Sequence, residues 1–234
     1  MKIYVYYHIT LINNWEDIVK EQCTRIIFSG LYEKLEQIKC YAIDPKCCET
    51  ERCRSLLKTF GKKFSLEDVC NEGNEWFTLK HLQYGLEDDD RILYIHTKGV
   101  TRYNTSIFTV ENCDIDIPNL YKNICQRRDL MEFFLIKKYE VCLKILDDYN
   151  VDTVGINICD SPLHYSGNFW WTTGRYLHSL RYDEPKTENW ILGKYGTYIS
   201  LFQSPFVGGK HYYNDFPLSM VSDISFDNMF LFTF

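Results

Sequence analysis

The sequence predicts an α/β fold: one domain over residues 1–234, with a mostly parallel central sheet flanked by helices. The first ~45 residues follow a strand, helix, strand order, which is the signature of a parallel βαβ unit. Further along, the apolar run Ile92–Ile95 stops abruptly at polar residues, as a buried strand does, and Val151–Ile158 looks like another buried strand that ends at Cys159-Asp160-Ser-Pro162. The sequence shows no internal repeat and no flexible linker, so a single domain is expected.

Hydrophobic periodicity predicts the elements of the first half in turn. Ile3–His8 is the first strand, and a helix with apolar residues at three- and four-residue spacing follows Asn13-Asn14. Ser29-Gly30 ends that helix, and Cys40–Ile43 forms a short second strand. Residues 46–63 are charged and cysteine-rich, which favours a peripheral loop or a short helix.

The second half alternates helical and extended patterns. An acidic run, Glu87–Asp90, leads into the strand at Ile92–Ile95. The remaining expectations are helical spacing over 75–84, an irregular segment over 101–118, one or two helices over 120–146, a helix over 173–180, a further helix from Thr187 and an aromatic, loop-rich tail from Tyr198.

Composition excludes several classes of protein. A formal charge of −6 argues against broad nucleic-acid binding, which needs a basic face. No apolar run approaches the ~20 residues of a membrane span, and the start does not resemble a secretion signal, so a cytoplasmic protein without a transmembrane segment is expected. The ten cysteines contain no Cys-x-x-Cys, and Cys47, Cys48 and Cys53 lack zinc spacing. Free thiols are favoured, with a redox or zinc-binding protein as the rival interpretation.

The most informative loop is His96-Thr-Lys-Gly99, which directly follows the strand at Ile92–Ile95. In open α/β sheets, ligands bind outside the carboxyl ends of the strands. A histidine and a lysine at that place could meet a phosphate-bearing ligand. A solvated surface loop is the other interpretation of the tetrapeptide alone.

Three segments in a fixed order carry a family resemblance. They are His96-Thr-Lys-Gly99, His164-Tyr-Ser-Gly-Asn-Phe-Trp-Trp171, and Arg181-Tyr with Glu188-x-Trp190 after it. Together with Trp15, Ser29-Gly-Leu-Tyr32 and Arg128, they resemble a family of small glycosyltransferase-like proteins of the GT-A fold. The resemblance runs over most of residues 1–215, and it departs from the family pattern at Arg127, where a tryptophan is usual.

The resemblance implies a single-domain GT-A fold and an activity. Such a protein moves a hexose or similar sugar from a nucleoside-diphosphate sugar to a glycan or glycosylated acceptor. A non-catalytic sugar- or glycan-binding module on the same scaffold is the alternative.

The resemblance also implies roles for individual residues. Glu188 would be the general base that takes the proton from the acceptor hydroxyl, and Asp160 is the reserve candidate. The donor would be bound by Tyr7, His8, His96, Thr97, Lys98, Gly99 and His164. The acceptor and sugar pocket would be formed by Asn168, Trp170 and Trp171, with the indoles offering a platform for a sugar ring. Core tryptophans are the competing interpretation.

Metal use is left open by the sequence. Most GT-A enzymes hold Mn²⁺ or Mg²⁺ with an Asp-x-Asp after a central strand, and here His96-Thr-Lys98 takes that place. Either His96 and Lys98 meet the diphosphate without a metal, or another group supplies the metal site. The weak candidates are Asp88 and Asp90, which precede their strand and favour a solvated turn, Asp114 and Asp116 in a loop, and His211 in the tail.

Overall fold

A computed structural model describes residues 1–110, 113–116, 118–160, 163–182, 190–192, 196–202 and 230–233. The side chains of 108–110, 113–115, 160 and 230–233 lie outside that description. The strands are β1 (Ile3–Thr10), β2 (Gln37–Ile43), β3 (Phe64–Cys70), β4 (Arg91–His96), β5 (Ile107–Val110), β6 (Cys113–Asp116), β7 (Thr153–Gly155), β8 (Ile158–Asp160), β9 (Leu163–Tyr165), β10 (Trp170–Thr173), β11 (Thr197–Ser200) and β12 (Phe230–Thr233).

The helices are α1 (Trp15–Phe28), α2 (Leu31–Lys34), α3 (Thr50–Thr59), α4 (Trp76–Leu79), α5 (Leu120–Glu132), α6 (Tyr139–Asp148) and α7 (Gly174–Ser179). A 3-10 turn follows α4 at Lys80–Gln83, and another follows β4 at Val100–Arg102. A π-helical turn, Phe133–Lys137, joins α5 to α6. No helix in these described ranges has the length and apolar character needed to cross a membrane.

The central sheet confirms the predicted α/β class. Its strand order is β12-β11-β7-β10-β4-β1-β2-β3. The pairs β1–β2, β2–β3, β1–β4 and β7–β11 are parallel, whereas β10 runs antiparallel to both β4 and β7, and β12 antiparallel to β11. Two short hairpins, β5–β6 and β8–β9, lie outside this sheet.

Helices cover both faces of the sheet. One apolar cluster joins the sheet to α1, α3, α5 and α6, and the other joins it to α4 and α7. Alternation along the strands sends neighbours to opposite faces: Trp171 belongs to the first cluster and Trp170 to the second. Both faces are therefore buried, which explains why the central strands are almost wholly apolar.

The strand order places a crevice beside β1. The chain passes from β1 to β2 and β3 on one side and then crosses to β4 on the other side of β1. Neighbouring connections therefore leave the carboxyl ends of β1 and β4 in opposite directions. This is the topological switch point at which open α/β sheets bind ligands.

Several elements differ from the sequence-based expectation. The predicted strand over Val151–Ile158 is split into β7 and β8, because Asn157 takes a left-handed conformation (φ 51°) between them. Residues 101–118 contain the β5–β6 hairpin rather than being irregular. The edge strand β3 has charged and partly exposed residues, and its weak apolar pattern gave no prediction. The helix predicted from Thr187 begins outside the described residues.

Candidate active site

A cavity of about 640 Å³ opens at the carboxyl ends of β1 and β4, at the switch point. It is lined by the ends of both strands, the loop before α4, the 3-10 turn after β4, α5 and the loop that leads from β9 to β10. The lining residues are His8, Thr10, Gly73, Asn74, Glu75, His96, Thr97, Lys98, Gly99, Val100, Thr101, Arg102, Ile124, Arg127, His164, Ser166 and Gly167. The sequence-predicted residues His8, His96, Thr97, Lys98, Gly99 and His164 are thus brought together.

The loop after β4 is tied to the end of β1. The Thr97 backbone N–H donates to the His8 carbonyl at 3.1 Å, and the Thr97 hydroxyl accepts from the Thr10 N–H at 3.0 Å. Gly99 then turns the chain with φ 93°, and a Cβ there would lie 2.8 Å from Cγ2 of Ile124. The glycine is needed both for its backbone conformation and for the close approach of α5.

His96 is held between two acceptors. Its Nε2 lies 2.9 Å from the Gly167 carbonyl oxygen, and its Nδ1 lies 3.6 Å from Oε1 of Glu75. A carbonyl oxygen only accepts hydrogen bonds, so Nε2 carries a proton. The ring therefore serves to connect the loop after β4 with Gly167 and Glu75, which differs from the expected direct bond between His96 and a diphosphate.

Glu75 is the site residue that sequence reasoning missed. Its Oε2 accepts from the Tyr94 hydroxyl at 3.1 Å and from Nδ2 of Asn168. Burial raises the pKa of this carboxyl, but electrostatic interactions with His96, His8 and Lys98 and the Asn168 hydrogen bond outweigh it and lower the pKa below its usual value. Glu75 is therefore a fixed, ionised carboxylate on the cavity wall. Its position before a helical pattern suggested only a helix start.

The Gly167-Asn-Phe-Trp-Trp171 segment is a support for Glu75 and not a sugar platform. Both indoles are fully buried. The Trp170 N–H donates to Oδ1 of Asn168 at 2.9 Å, which directs the Asn168 Nδ2 group to Glu75. The Trp171 N–H donates to the Leu135 carbonyl on the opposite face of the sheet. The hypothesis that Trp170, Trp171 and Asn168 line the sugar pocket is therefore wrong, because all three face the protein interior.

Two other predicted donor-site residues have different environments. His8 is buried, with Nδ1 at 2.8 Å from the Thr78 hydroxyl, and it lines the cavity. Tyr7 is buried on the opposite face of the sheet, where its hydroxyl donates to Gln22 Oε1. The prediction that Tyr7 lines the nucleoside pocket is wrong, because adjacent residues of a strand point to opposite faces.

The remaining wall of the cavity is basic. Lys98, Arg102 and Arg127 line it together with His164, while Glu75 is the acidic side chain among the described lining residues. Arg127, which departs from the family pattern, thus contributes a cation to the cavity. A diphosphate is a ligand that such a wall can hold by charge-assisted hydrogen bonds.

A buried polar network supports the loop after β4 from below. Arg128 donates to the Lys98 carbonyl at 3.0 Å, and Gln22 donates to the His96 carbonyl at 3.2 Å and to Glu132 at 2.8 Å. Glu132 also contacts Arg25 and lies 3.6 Å from Nε of Arg128. Burial raises the pKa of Glu132 to about 7, although Arg25 and Arg128 act to lower it.

Two of the metal candidates, Asp88 and Asp90, lie away from the cavity. Asp88 is exposed and accepts from His178 at 2.8 Å, and Asp90 is buried, accepting from the backbone N–H groups of Lys2 and Glu87. Both lie before β4, at the end of the sheet opposite the cavity, and Asp90 is not the solvated residue that was expected. Within the described ranges, no group of three or more His, Cys, Asp or Glu side chains is arranged to hold a metal ion.

Five further predicted residues are not part of the described cavity lining. Glu188 and His211 lie outside the described residues, and the side chains of Asp160 and Asp114 lie outside the description. Asp116 is exposed at the end of β6. Of the ten cysteines, those that the structure describes with side chains are free thiols.

Comparison with known proteins adds a distant structural likeness. No protein-family model matches the chain, and no curated protein matches its sequence significantly. One solved structure with a similar layout is that of a presumed nucleotide-diphospho-sugar transferase from Desulfovibrio desulfuricans. The two share 10% sequence identity with a TM-score of 0.36, over 82% of this chain and 74% of that chain. Values this low transfer neither an activity nor a site residue to this chain.

Proposed function

We propose that this protein is a glycosyltransferase that moves a hexose-type sugar from a nucleoside-diphosphate sugar to a glycan or glycosylated acceptor. The observation that carries the proposal is the basic cavity at the switch point, with Lys98, Arg102 and Arg127 on its wall. The same loop, His96-Thr-Lys-Gly99, is one of the three ordered segments that carry the sequence resemblance to GT-A glycosyltransferase-like proteins.

Transfer of the sugar requires positive charge beside the departing diphosphate. As the glycosidic bond to the donor breaks, negative charge develops on the departing diphosphate, and preorganised cations lower the energy of that state. Lys98 offers a compact charge, and the guanidinium groups of Arg102 and Arg127 offer the planar fork that suits phosphate oxygens. We assign the leaving-group contacts to these three side chains, with His96 holding the loop in place.

Proton removal from the acceptor is assigned to a carboxylate. Glu188 is the proposed general base, on the strength of the sequence resemblance, and Asp160 is the reserve candidate. Both the enzyme and the alternative of a non-catalytic sugar-binding module used the Trp170 and Trp171 platform, so the burial of both indoles does not separate them. Only the enzyme needs cations at a leaving diphosphate, so the basic wall of the cavity supports the enzyme.

A ligand panel tests the proposal. Nucleoside diphosphates, their sugars and inorganic pyrophosphate are added to the protein, each with and without Mn²⁺, and the thermal unfolding midpoint is measured. A saturating ligand at 100 times its Kd stabilises the folded state by about 2.7 kcal/mol. We expect a shift with at least one nucleotide sugar, and we expect Lys98→Met to reduce it. Lys122→Met, an exposed lysine on α5 outside the cavity lining, is the matched control.

Turnover separates binding from catalysis. With the donor that gives the largest shift, Glu188→Gln should keep the shift while transfer or donor hydrolysis falls by about 100-fold or more. Full activity in that variant would remove Glu188 from the mechanism. A wild-type protein that neither binds nor cleaves any nucleotide sugar would contradict the proposed function itself.

A further inference from the structure

We propose that Glu75 recognises a neutral hydrogen-bond-donating group, a hydroxyl or an N–H, that lies next to the diphosphate in the bound ligand. This inference rests on the proposed function and deepens it, because it names a specificity-determining residue of the same cavity. No sequence pattern pointed to Glu75.

The first observation is that Glu75 is immobilised by one of its oxygens. Its Oε2 accepts from both Tyr94 and Asn168, and Asn168 is itself oriented by the Trp170 indole. Gly167 and Asn168 both have positive φ, of 101° and 56°, so the turn that presents the amide is fixed by its backbone. Two oxygens of a carboxylate offer about four acceptor positions, so Oε1 retains acceptor capacity.

The second observation is that the Glu75 side chain reaches the cavity. Glu75 lines the cavity, and its side chain is 22% exposed even though it is held on one side. Oε1 is the atom nearer to His96, at 3.6 Å from Nδ1, a distance that is too long for a full hydrogen bond. A ligand group in the cavity can therefore donate to Oε1.

The third observation is the charge of the surroundings. Lys98, Arg102 and Arg127 favour anions in this cavity, and an ionised carboxylate among them repels every bare anion. Such a carboxylate improves binding only for a ligand that brings its own hydrogen-bond donors. In a nucleoside-diphosphate sugar, these donors come from the ribose or base on one side of the diphosphate and from the sugar hydroxyls on the other.

The test compares ligands that differ in those donors. Affinities for inorganic pyrophosphate, for uridine and guanosine diphosphates, and for UDP-glucose and GDP-mannose are measured by titration calorimetry in EDTA and again in Mn²⁺. For Glu75→Gln we expect the affinity for nucleotides to fall by about 10-fold. The amide oxygen will face the donors Tyr94 and Asn168, so the amide NH2 takes the place of Oε1 and the ligand group loses its acceptor. Pyrophosphate affinity should rise several-fold, because a like charge has been removed.

Two further variants distinguish ligand recognition by Glu75 from a purely structural role of this residue. Glu75→Asp keeps the charge but withdraws the carboxylate by one methylene, so nucleotides should bind more weakly without any gain for pyrophosphate. Glu72→Gln makes the same chemical change on an exposed side chain of the same loop, outside the cavity lining, and should bind all ligands like the wild type.

The comparison between ligands also shows which part of the ligand carries the hydrogen-bond-donating group. Equal losses for diphosphates and their sugars place it on the nucleoside, and a loss confined to the nucleotide sugars places it on the transferred sugar. Either result supports the inference.

Three outcomes for Glu75→Gln would overturn the inference. An equal fall in affinity for all ligands would show a structural role, and an equal rise would show that Glu75 only repels anions. A loss of affinity seen only with Mn²⁺ would make Glu75 a metal ligand. Wild-type protein that binds pyrophosphate but no nucleotide would overturn the proposed function as well. If Glu75→Gln leaves the affinities for both the nucleoside diphosphates and their sugars unchanged, only the role of Glu75 is overturned.

Discussion

At the scale of single residues, the two histidines at the carboxyl ends of β1 and β4 have opposite environments. His96 donates from Nε2 to the Gly167 carbonyl and lies near the Glu75 carboxylate, whereas His8 is enclosed and hydrogen-bonded to hydroxyl groups. Burial lowers the pKa of His8 to about 4, with Glu75 opposing the shift and His96 adding to it. His8 is therefore a neutral imidazole at neutral pH, and its place on the cavity wall is that of a polar, uncharged group.

The buried His8 predicts a pH dependence of stability. The unfolded chain protonates this residue near pH 6.5 and the folded chain only near pH 4, so acidification between these values favours unfolding. We expect the wild type to lose about 3 kcal/mol more unfolding free energy than His8→Asn between about pH 7 and pH 4. Urea denaturation across this range measures both slopes. Parallel pH profiles for the two proteins would contradict the low pKa.

Residue-level sequence reasoning found the basic side of the cavity but not its carboxylate. His96 and Lys98 were predicted because an apolar strand ends directly before them. Glu75 was missed because what defines it is a hydrogen bond to Asn168, which is 93 residues away along the chain. Another distant contact explains the error at Trp170, whose burial follows from packing on Tyr94 and from no local pattern.

At the scale of elements, α1 and α5 hold the loop after β4 from beneath the sheet. Gln22 on α1 and Arg128 on α5 donate to the carbonyls of His96 and Lys98. These two helices were predicted from their apolar spacing, since packing faces repeat every three or four residues. Their polar interior positions, such as Glu132, could not be predicted, because helical periodicity does not show which charges will meet.

The arginine network predicts a loss of stability on truncation of one partner. Arg128→Met leaves the buried carboxylate of Glu132 with one guanidinium fewer and should lower the unfolding free energy by about 3 kcal/mol. Arg128→Lys keeps the charge and should lose less. Arg127→Met alters the neighbouring arginine on the cavity wall and should affect ligand binding more than stability. Equal stability of Arg128→Met and wild type in urea would show that the network does not hold the fold.

At the scale of the whole molecule, the site is assembled from distant parts of the chain at the carboxyl ends of the central strands. The parallel order of β1, β2 and β4 follows from the βαβ pattern of the sequence, and with it the position of the cavity. The insertion of β10 between β4 and β7 could not be predicted. β10 has four residues, and nothing local to it indicates that Trp170 will pair with Tyr94 and with Gly155.

That insertion has a consequence for the order of events during synthesis. Strands β1 to β4 leave the ribosome well before β10, so the outer edge of β4 has no partner while the intervening segment is made. Ile92–Ile95 would then present an apolar strand edge, which is where nascent chains associate. We expect a fragment of residues 1–150 to sediment as aggregates at concentrations where the full chain stays monodisperse. A folded, monomeric fragment would show that β4 is protected by other means until β10 arrives.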